Sequence, residues 1–127
     1  MDSRHEKRID IVQNIFARSF DTGEGKAVLP NKKYADITSD IFTHLAKIDE
    51  IISAHAPKYP LDKISRTDLS VLRLAVYELF IEKNEPVKVI INEAVELAKE
   101  MGNERSYAFI NAVLGSIVAD INNLSIK

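Results

Sequence analysis

The sequence has no cysteine, few glycines and no long apolar run. Without cysteine there is no disulfide framework, thiolate metal site or cysteine nucleophile, which fits a reducing cytoplasm. No stretch approaches the roughly 18 apolar residues of a membrane span, and the N-terminus MDSRHEKRID lacks the apolar segment of a signal peptide. Gly23 and Gly25 of the TGEGK segment are one residue apart, whereas a P-loop has four residues between its glycines. These absences favour a cytoplasmic protein with no membrane segment and no P-loop.

The composition is typical of a compact globular protein. Of 127 residues, 46% are hydrophobic and 28% are charged, so we expect one domain over residues 1–127 with a buried core. The formal net charge is −2. A nucleic-acid-binding protein of this charge must concentrate its basic residues locally.

Apolar residues recur at helical spacing along the chain, and no segment alternates with the period of a strand. Arg66–Ile81 is apolar around nearly its whole circumference, which predicts a central helix enclosed by the others. The APKYP segment, Ala56–Pro60, divides an N-terminal half of about residues 1–57 from a C-terminal half of about residues 60–127. The prediction is an all-α bundle of about five helices, at residues 4–20, 31–56, 66–81, 86–101 and from 106 onward.

The first predicted helix carries a basic edge beside an apolar face. The apolar face is predicted from residues at three- and four-residue spacing: Ile9, Val12, Phe16 and Phe20. The basic arc contains Arg4, Lys7, Arg8 and Arg18, together with Ile11 and Ile15. Cations attract phosphates and neighbouring apolar groups contact unstacked bases, so this edge is a candidate for binding single-stranded RNA.

The titratable side chains form no recognisable catalytic or metal-binding pattern. Of the three histidines, His5, His44 and His55, the last two would lie about 16 Å apart on one helix, too far to chelate one ion. The penultimate helix has acidic residues on one side, which we interpret as a solvated face: Glu93, Glu96 and Glu100. The sequence indicates neither an enzyme nor a cofactor or metal site.

Three motifs in the second half occur in the order and spacing of a known family. They are LRLAVYELF (Leu72–Phe80), PVKVIINEAVELAKEMG (Pro86–Gly102) and SYAFINAVL (Ser106–Leu114), preceded by Asp68. Over about residues 64–118 the chain resembles the bacterial transcription antitermination factor NusB family, and RHEKRIDIVQNIFARSF resembles a thinned version of that family's arginine-rich first helix.

The resemblance implies an all-helical fold of two packed three-helix subdomains. It also implies a non-enzymatic role in ribosomal RNA operons. There, NusB-like proteins bind the boxA element of nascent RNA together with the ribosomal protein NusE, as part of the RNA polymerase antitermination complex.

The resemblance also assigns RNA-binding positions. Arg4, His5 and Arg8 match the family's N-terminal RNA-binding arginines, and His5 departs from them because imidazole is mostly neutral near pH 7. The start of the last helix matches an RNA-facing segment, with Arg105 where the family commonly has an acidic residue. The predicted RNA-binding residues are Arg4, His5, Lys7, Arg8, Arg105, Ser106 and Tyr107.

A second set of positions is predicted to contact NusE. Phe16 and Asp68 match family positions at that contact, and Phe20 and Tyr77 are predicted neighbours. For the two phenylalanines, burial in the core is an equal alternative. The basic residues of the central helix, Arg66 and Arg73, are interpreted as structural ion-pair partners or snorkelling side chains rather than RNA ligands.

Two other functions stay open at this point. NusB-like domains also precede some ribosomal RNA 5-methylcytosine methyltransferases, where they do no chemistry; because the chain ends soon after the last helix, we expect a free-standing protein instead. A helical scaffold or dimerisation module without RNA binding is the other alternative, and a homodimer remains open for each.

Overall fold

The structure, a computed structural model, describes residues 3–21 and 28–125, with side chains described as far as residue 121. The α-helices in these ranges are α1 Ser3–Arg18, α2 Ala35–Thr43, α3 Leu45–His55, α4 Arg66–Tyr77, α5 Val87–Met101 and α6 Ser106–Ser125. Turns of 3₁₀-helix at Lys32–Tyr34 and Leu61–Lys63 precede α2 and α4, and a π-helical segment, Glu78–Glu82, continues α4. The described ranges contain no strand, and the predicted all-α class is confirmed. The TGEGK segment, residues 22–26, lies outside the described residues.

Helix α4 lies at the centre of the fold and contacts each of the other five α-helices. Every residue from Asp68 to Tyr77 is buried, because this helix is apolar on most sides. Its first turn is capped by Ser65, whose Oγ accepts a hydrogen bond from the backbone N–H of Asp68 at 3.1 Å. The prediction of a central helix is therefore confirmed, whereas the division into two halves stays a prediction.

The buried face of α1 is not the face predicted from its apolar spacing. It consists of His5, Arg8, Ile11, Val12 and Ile15, with Asn14 beside them. Phe16 and Phe20, predicted on the apolar face, are 38% and 54% exposed. The core alternative for these two phenylalanines is therefore wrong, and part of the basic edge faces the core instead. The face predicted from the apolar spacing of α1 is wrong because carboxylates far away in sequence neutralise His5 and Arg8, which allows these basic side chains to be buried.

The long helix predicted over residues 31–56 is broken into two helices at His44. His44 Nδ1–H donates to the Asp40 carbonyl at 2.9 Å, and Thr43 Oγ1 donates to the Ser39 carbonyl at 3.0 Å. Such side-chain bonds compete with the backbone for helix carbonyls and so weaken the continuation of the helix. The sequence shows no proline or glycine at this point, which is why the break was not predicted.

The turn between α5 and α6 is tight and requires glycine. Gly102 ends α5 as predicted, and a Cβ at this position would overlap the Ser106 hydroxyl and lie 2.9 Å from the Ala98 carbonyl oxygen. Ser106 is buried, and its Oγ accepts a hydrogen bond from the backbone N–H of Asn103 at 3.0 Å. This turn sets the start of α6 directly against the end of α5.

Candidate nucleic-acid and protein interfaces

The N-terminal turns of α1 are held against α5 by His5. Its Nδ1 lies 2.9 Å from Glu93 Oε1, and its Nε2 lies 2.9 Å from Glu100 Oε1. The hydrogen bonds with Glu100 and then Glu93 raise the pKa of His5 above its usual 6.5, although burial opposes the shift. Glu100 is exposed, as predicted for a solvated face of α5, although it also binds this imidazole, whereas Glu93 is only partly exposed.

One turn further along, Arg8 forms a buried ion pair with Glu78. Its Nη2 donates to Glu78 Oε1 at 2.8 Å and its Nε donates to Oε2 at 3.1 Å. A further hydrogen bond, from Arg8 Nη1 to Glu93 Oε1 at 3.4 Å, links this ion pair to the contacts of His5. Two of the predicted RNA-binding cations, His5 and Arg8, are therefore buried against carboxylates of the protein.

Arg4 and Lys7, in contrast, lie on the outer side of the same helix. The Arg4 side chain is 65% exposed and donates to Glu85 Oε1 at 3.2 Å. Lys7 is exposed, with its Nζ 5.9 Å from the centre of the Tyr34 ring. Both border a cavity of about 120 Å³ whose other lining residues include Glu82. Burial, and then repulsion from Glu78, raises the pKa of Glu82.

The start of α6 presents a second group of predicted RNA-binding residues. Arg105 and Tyr107 are exposed, whereas Ser106 between them is buried in the turn described above. Lys99 Nζ, on α5, lies 5.4 Å from the centre of the Tyr107 ring, a distance suited to a cation–π contact. Cationic and aromatic groups therefore share this end of the helix pair.

Helix α5 connects the two groups of basic residues. Glu100 binds His5 of α1, and the preceding residue, Lys99, contacts Tyr107 of α6. The first turns of α1 and α6 are thus both fixed to the last turns of α5.

Comparison with known proteins identifies the family. A model of the NusB family matches residues 4–119. The chain belongs to the NusB family.

Relatives named as transcription antitermination protein NusB align with this chain over different lengths. One from Nitratiruptor sp. is 33% identical over 100% of this chain and 99% of its own length. One from Bacillus subtilis is 39% identical over 69% of this chain and 67% of its own length. The match to the Roseiflexus castenholzii protein, at 46% identity, covers 60% of this chain and only 55% of the relative.

Two solved structures have the same fold. NusB from T. maritima is 32% identical, with a TM-score of 0.74 over 90% of this chain and 89% of that one. A chain from a crystal structure of antitermination factors NusB and NusE in complex with double-stranded RNA has a TM-score of 0.65 over 91% of this chain and 97% of its own. Because its identity is 23%, this second likeness concerns the fold alone.

The positions predicted from the NusB family to contact NusE include an exposed aromatic pair. Phe16 and Phe20 pack edge to face with their ring centres 5.1 Å apart, and the Arg66 guanidinium lies 4.2 Å above the Phe20 ring. Arg66 also donates to the Ser19 carbonyl at 2.7 Å. An apolar groove of about 490 Å³ adjoins this pair; it is lined by Val12, Gln13, Phe16, Ala17, Pro30, Thr67 and Met101.

Asp68 and Tyr77, the other two predicted NusE contacts, are both buried. Asp68 is 8% exposed, and its Oδ1 has no hydrogen-bond partner within the described part of the chain. Tyr77 donates from its hydroxyl to Asp40 Oδ2 at 2.7 Å, and burial, with this bond, raises its pKa. Arg73 forms a bidentate pair with Asp49 at 2.9 Å, which confirms its interpretation as an ion-pair partner.

Two features of these surfaces were missed in the sequence. The contact of Lys99 with Tyr107 is the first, since nothing in the spacing of residues shows that the chain turns back to bring Tyr107 onto α5. The exposed Tyr59 packs edge to face on the partly buried Phe109 with ring centres 5.3 Å apart, in a groove of about 220 Å³ that Lys58 also lines. The only sequence signal for this pair was the aromatic residue within the proline-containing segment.

The described residues contain no group of three or more histidine, cysteine or acidic side chains placed to hold a metal ion. None of the described helices is long and apolar enough to cross a membrane.

Proposed function

We propose that this NusB-family protein is a transcription antitermination factor that binds boxA-type RNA of ribosomal RNA operons together with NusE. The observation that carries this proposal is that exposed basic and aromatic residues lie at the starts of α1 and α6. Both starts contact the last turn of α5, through Glu100 and Lys99. Single-stranded nucleic acid is bound by such combinations, in which cations contact phosphates and aromatic rings stack on bases.

The proposal assigns direct RNA contacts to the exposed members of the predicted set. Arg4, Lys7 and Arg105 reach solvent and can contact phosphates, and Tyr107 exposes a ring for stacking. Lys99 joins this set by its contact with Tyr107. The groove of Tyr59 and Phe109, on the other side of α6, offers a further stacking surface for the same strand.

RNA contact by His5, Arg8 and Ser106 stays a prediction. Each of these side chains is buried and bonded within the protein. For His5 or Arg8 to reach a phosphate, its carboxylate partners must first release it, which costs free energy that the RNA contact must exceed.

The NusE contact is proposed for the apolar groove and the aromatic pair beside it. Phe16 and Phe20 present exposed rings, and aromatic residues are enriched where proteins bind each other. Thr67 lines the groove, and one carboxylate oxygen of the next residue, Asp68, has no donor among the described residues. A buried acceptor of this kind costs stability until a donor is supplied, so we propose that NusE supplies one. A partner role for Tyr77 stays a prediction because its hydroxyl already binds Asp40.

In this role the protein binds and assembles rather than catalyses. It acts in the bacterial cytoplasm, where nascent RNA emerges, within the RNA polymerase antitermination complex. A homodimer is not required for either surface.

One observation favours a second candidate, a scaffold or dimerisation module without RNA binding. Glu78, Glu93 and Glu100 neutralise two of the basic residues that the family resemblance assigns to RNA. The role as a domain serving a ribosomal RNA methyltransferase shares the RNA surface but does not require NusE.

The test is titration of fluorescent single-stranded boxA RNA with the protein, alone and with saturating NusE. A scrambled RNA of equal length and composition is the control. The proposal predicts binding of boxA RNA that NusE strengthens, and weaker binding of the control. No binding under either condition supports the scaffold, and equal affinity with and without NusE supports the methyltransferase-linked role.

A further inference from the structure

The imidazole of His5 bridges two carboxylates with both of its ring nitrogens. Nδ1 lies 2.9 Å from Glu93 Oε1 and Nε2 lies 2.9 Å from Glu100 Oε1. Ionised carboxylates only accept hydrogen bonds, and a neutral imidazole carries a single N–H. Both bonds therefore form together only when His5 is the doubly protonated imidazolium.

The protonation state of His5 changes the balance of charge around it. Glu93 and Glu100 face it from α5, and Arg8 faces Glu93 from its own helix while pairing with Glu78 of the π-helical segment. With His5 protonated, two cations oppose three carboxylates. Without that proton, Arg8 alone opposes all three, and one of the two carboxylates loses its hydrogen bond from His5.

His5 also lies in the helical turn that carries the exposed cations. Arg4 precedes it by one residue and Lys7 follows it by two, so the bridge to α5 fixes the segment from which both side chains extend. On the other side of the bridge, Glu100 adjoins Lys99, which contacts Tyr107. A change in this bridge is therefore expected to alter the positions of both groups of proposed RNA-binding residues.

We propose that protonated His5 is a positioning residue: it clamps the first turns of α1 onto α5 and thereby aligns Arg4 and Lys7 with the start of α6 for RNA. This inference rests on the proposed RNA-binding function. An arginine at position 5 would be a permanent cation, whereas histidine makes the alignment dependent on pH.

The direction of the pH dependence follows from the raised pKa of His5. The clamp is fully present below the usual value of 6.5 and is lost as the pH rises through the folded-state pKa. Because linkage is reciprocal, bound RNA must raise the proton affinity of His5 by the same factor by which protonation raises the RNA affinity, and the pKa of His5 rises by the logarithm of that factor.

The experiment compares wild type, His5→Gln, His5→Arg and the control His44→Gln between pH 6 and pH 9 at constant salt. Single-stranded boxA RNA is the probe in a fluorescence titration. We expect wild-type affinity to fall about fivefold or more as the pH rises. His5→Gln binds weakly at every pH, His5→Arg binds well at every pH, and His44→Gln retains the wild-type profile.

A second measurement uses no RNA and separates this inference from the proposed function. NMR follows the His5 ring resonances and the amide exchange of residues 6–9 over the same pH range. We expect deprotonation of His5 and faster exchange of these amides to occur together. If exchange is independent of His5 titration, or if His5→Gln and wild type share one pH profile of RNA affinity, the clamp is refuted. A coupled titration in a protein that binds no boxA RNA refutes the proposed function alone.

Discussion

Arg8 and Glu78 are 70 residues apart in sequence and form an ion pair in which each side chain is only 8% exposed. Two Arg8 nitrogens bond the two Glu78 oxygens, so the guanidinium and carboxylate planes meet edge to edge. This pair joins the first turns of α1 to the end of the central helix. It also explains why an arginine can occupy the buried face of α1.

Removing one partner of this pair is expected to destabilise the protein strongly. Arg8→Ala leaves the Glu78 carboxylate buried without its cation, a loss of about 3–5 kcal/mol in the free energy of unfolding. Urea denaturation measures it, with Arg4→Ala as the exposed control, which should cost less than about 1 kcal/mol. Equal stability of the two variants would show that Arg8 is not buried as described.

The central position of α4 predicts a single cooperative unit. Leu72 is fully buried, and Leu72→Ala is expected to cost about 2–5 kcal/mol. Circular dichroism and tyrosine fluorescence should report one coincident transition, because α4 packs on helices of both halves. Val89→Ala, at a partly exposed site, is the control. A second transition, with one half folded after the other has melted, would show that the halves are independent.

Glu82 supplies a prediction with a pH signature. Burial raises its pKa, so its contribution to stability is present below the usual 4.5 and is lost as the pH rises through the folded-state value. Glu82→Gln is therefore expected to be more stable than wild type at pH 7 but not at pH 4. The exposed control Glu50→Gln should show no such difference in thermal melts at the two pH values. A less stable Glu82→Gln at pH 7 would contradict this assignment.

The proposed NusE surface predicts loss of binding without loss of fold. Phe16→Ala and Asp68→Ala should each weaken NusE binding by about tenfold or more in calorimetric titrations. Melting temperatures should stay within a few degrees, because Phe16 is partly exposed and one Asp68 oxygen has no donor in the part of the chain that the structure describes. Tyr59→Ala, on another surface, should bind NusE normally. Wild-type affinity in both of the first two variants would exclude this surface.

Parts of the fold could be predicted from local sequence, and others could not. Residues 66–81 predict the central helix because their apolar pattern is local and can be recognised without knowing which residues they contact. Gly102 predicts the end of α5 from a local signal too, a glycine just past the last helical residue. The orientation of α1 was wrong because the buried state of Arg8 depends on Glu78, which the spacing within α1 does not show. The break at His44 depends on side-chain bonds to helix carbonyls, and the sequence has no breaker residue there.

The candidate site also has features that the sequence predicts and features that depend on tertiary contacts. The family resemblance names positions on α1 and α6, but it does not say which of their side chains face inward. Burial separates His5, Arg8 and Ser106 from the exposed Arg4 and Tyr107, and this distinction comes from tertiary packing alone. The contact of Lys99 with Tyr107 likewise depends on the turn at Gly102.

The salt dependence of RNA binding tests the proposed surface most directly. Each cation that contacts a phosphate of a single strand contributes about −0.7 to the slope of log affinity against log salt. Contacts by Arg4, Lys7, Lys99 and Arg105 would give a slope of about −3 with boxA RNA. The Arg4→Ala, Lys7→Ala double variant should flatten this slope by about 1.4 with helical content unchanged. Lys47→Ala with Lys63→Ala removes the same charge from exposed sites elsewhere and should keep the wild-type slope. A wild-type slope in the first double variant, or equal flattening in both, would contradict RNA binding at the start of α1.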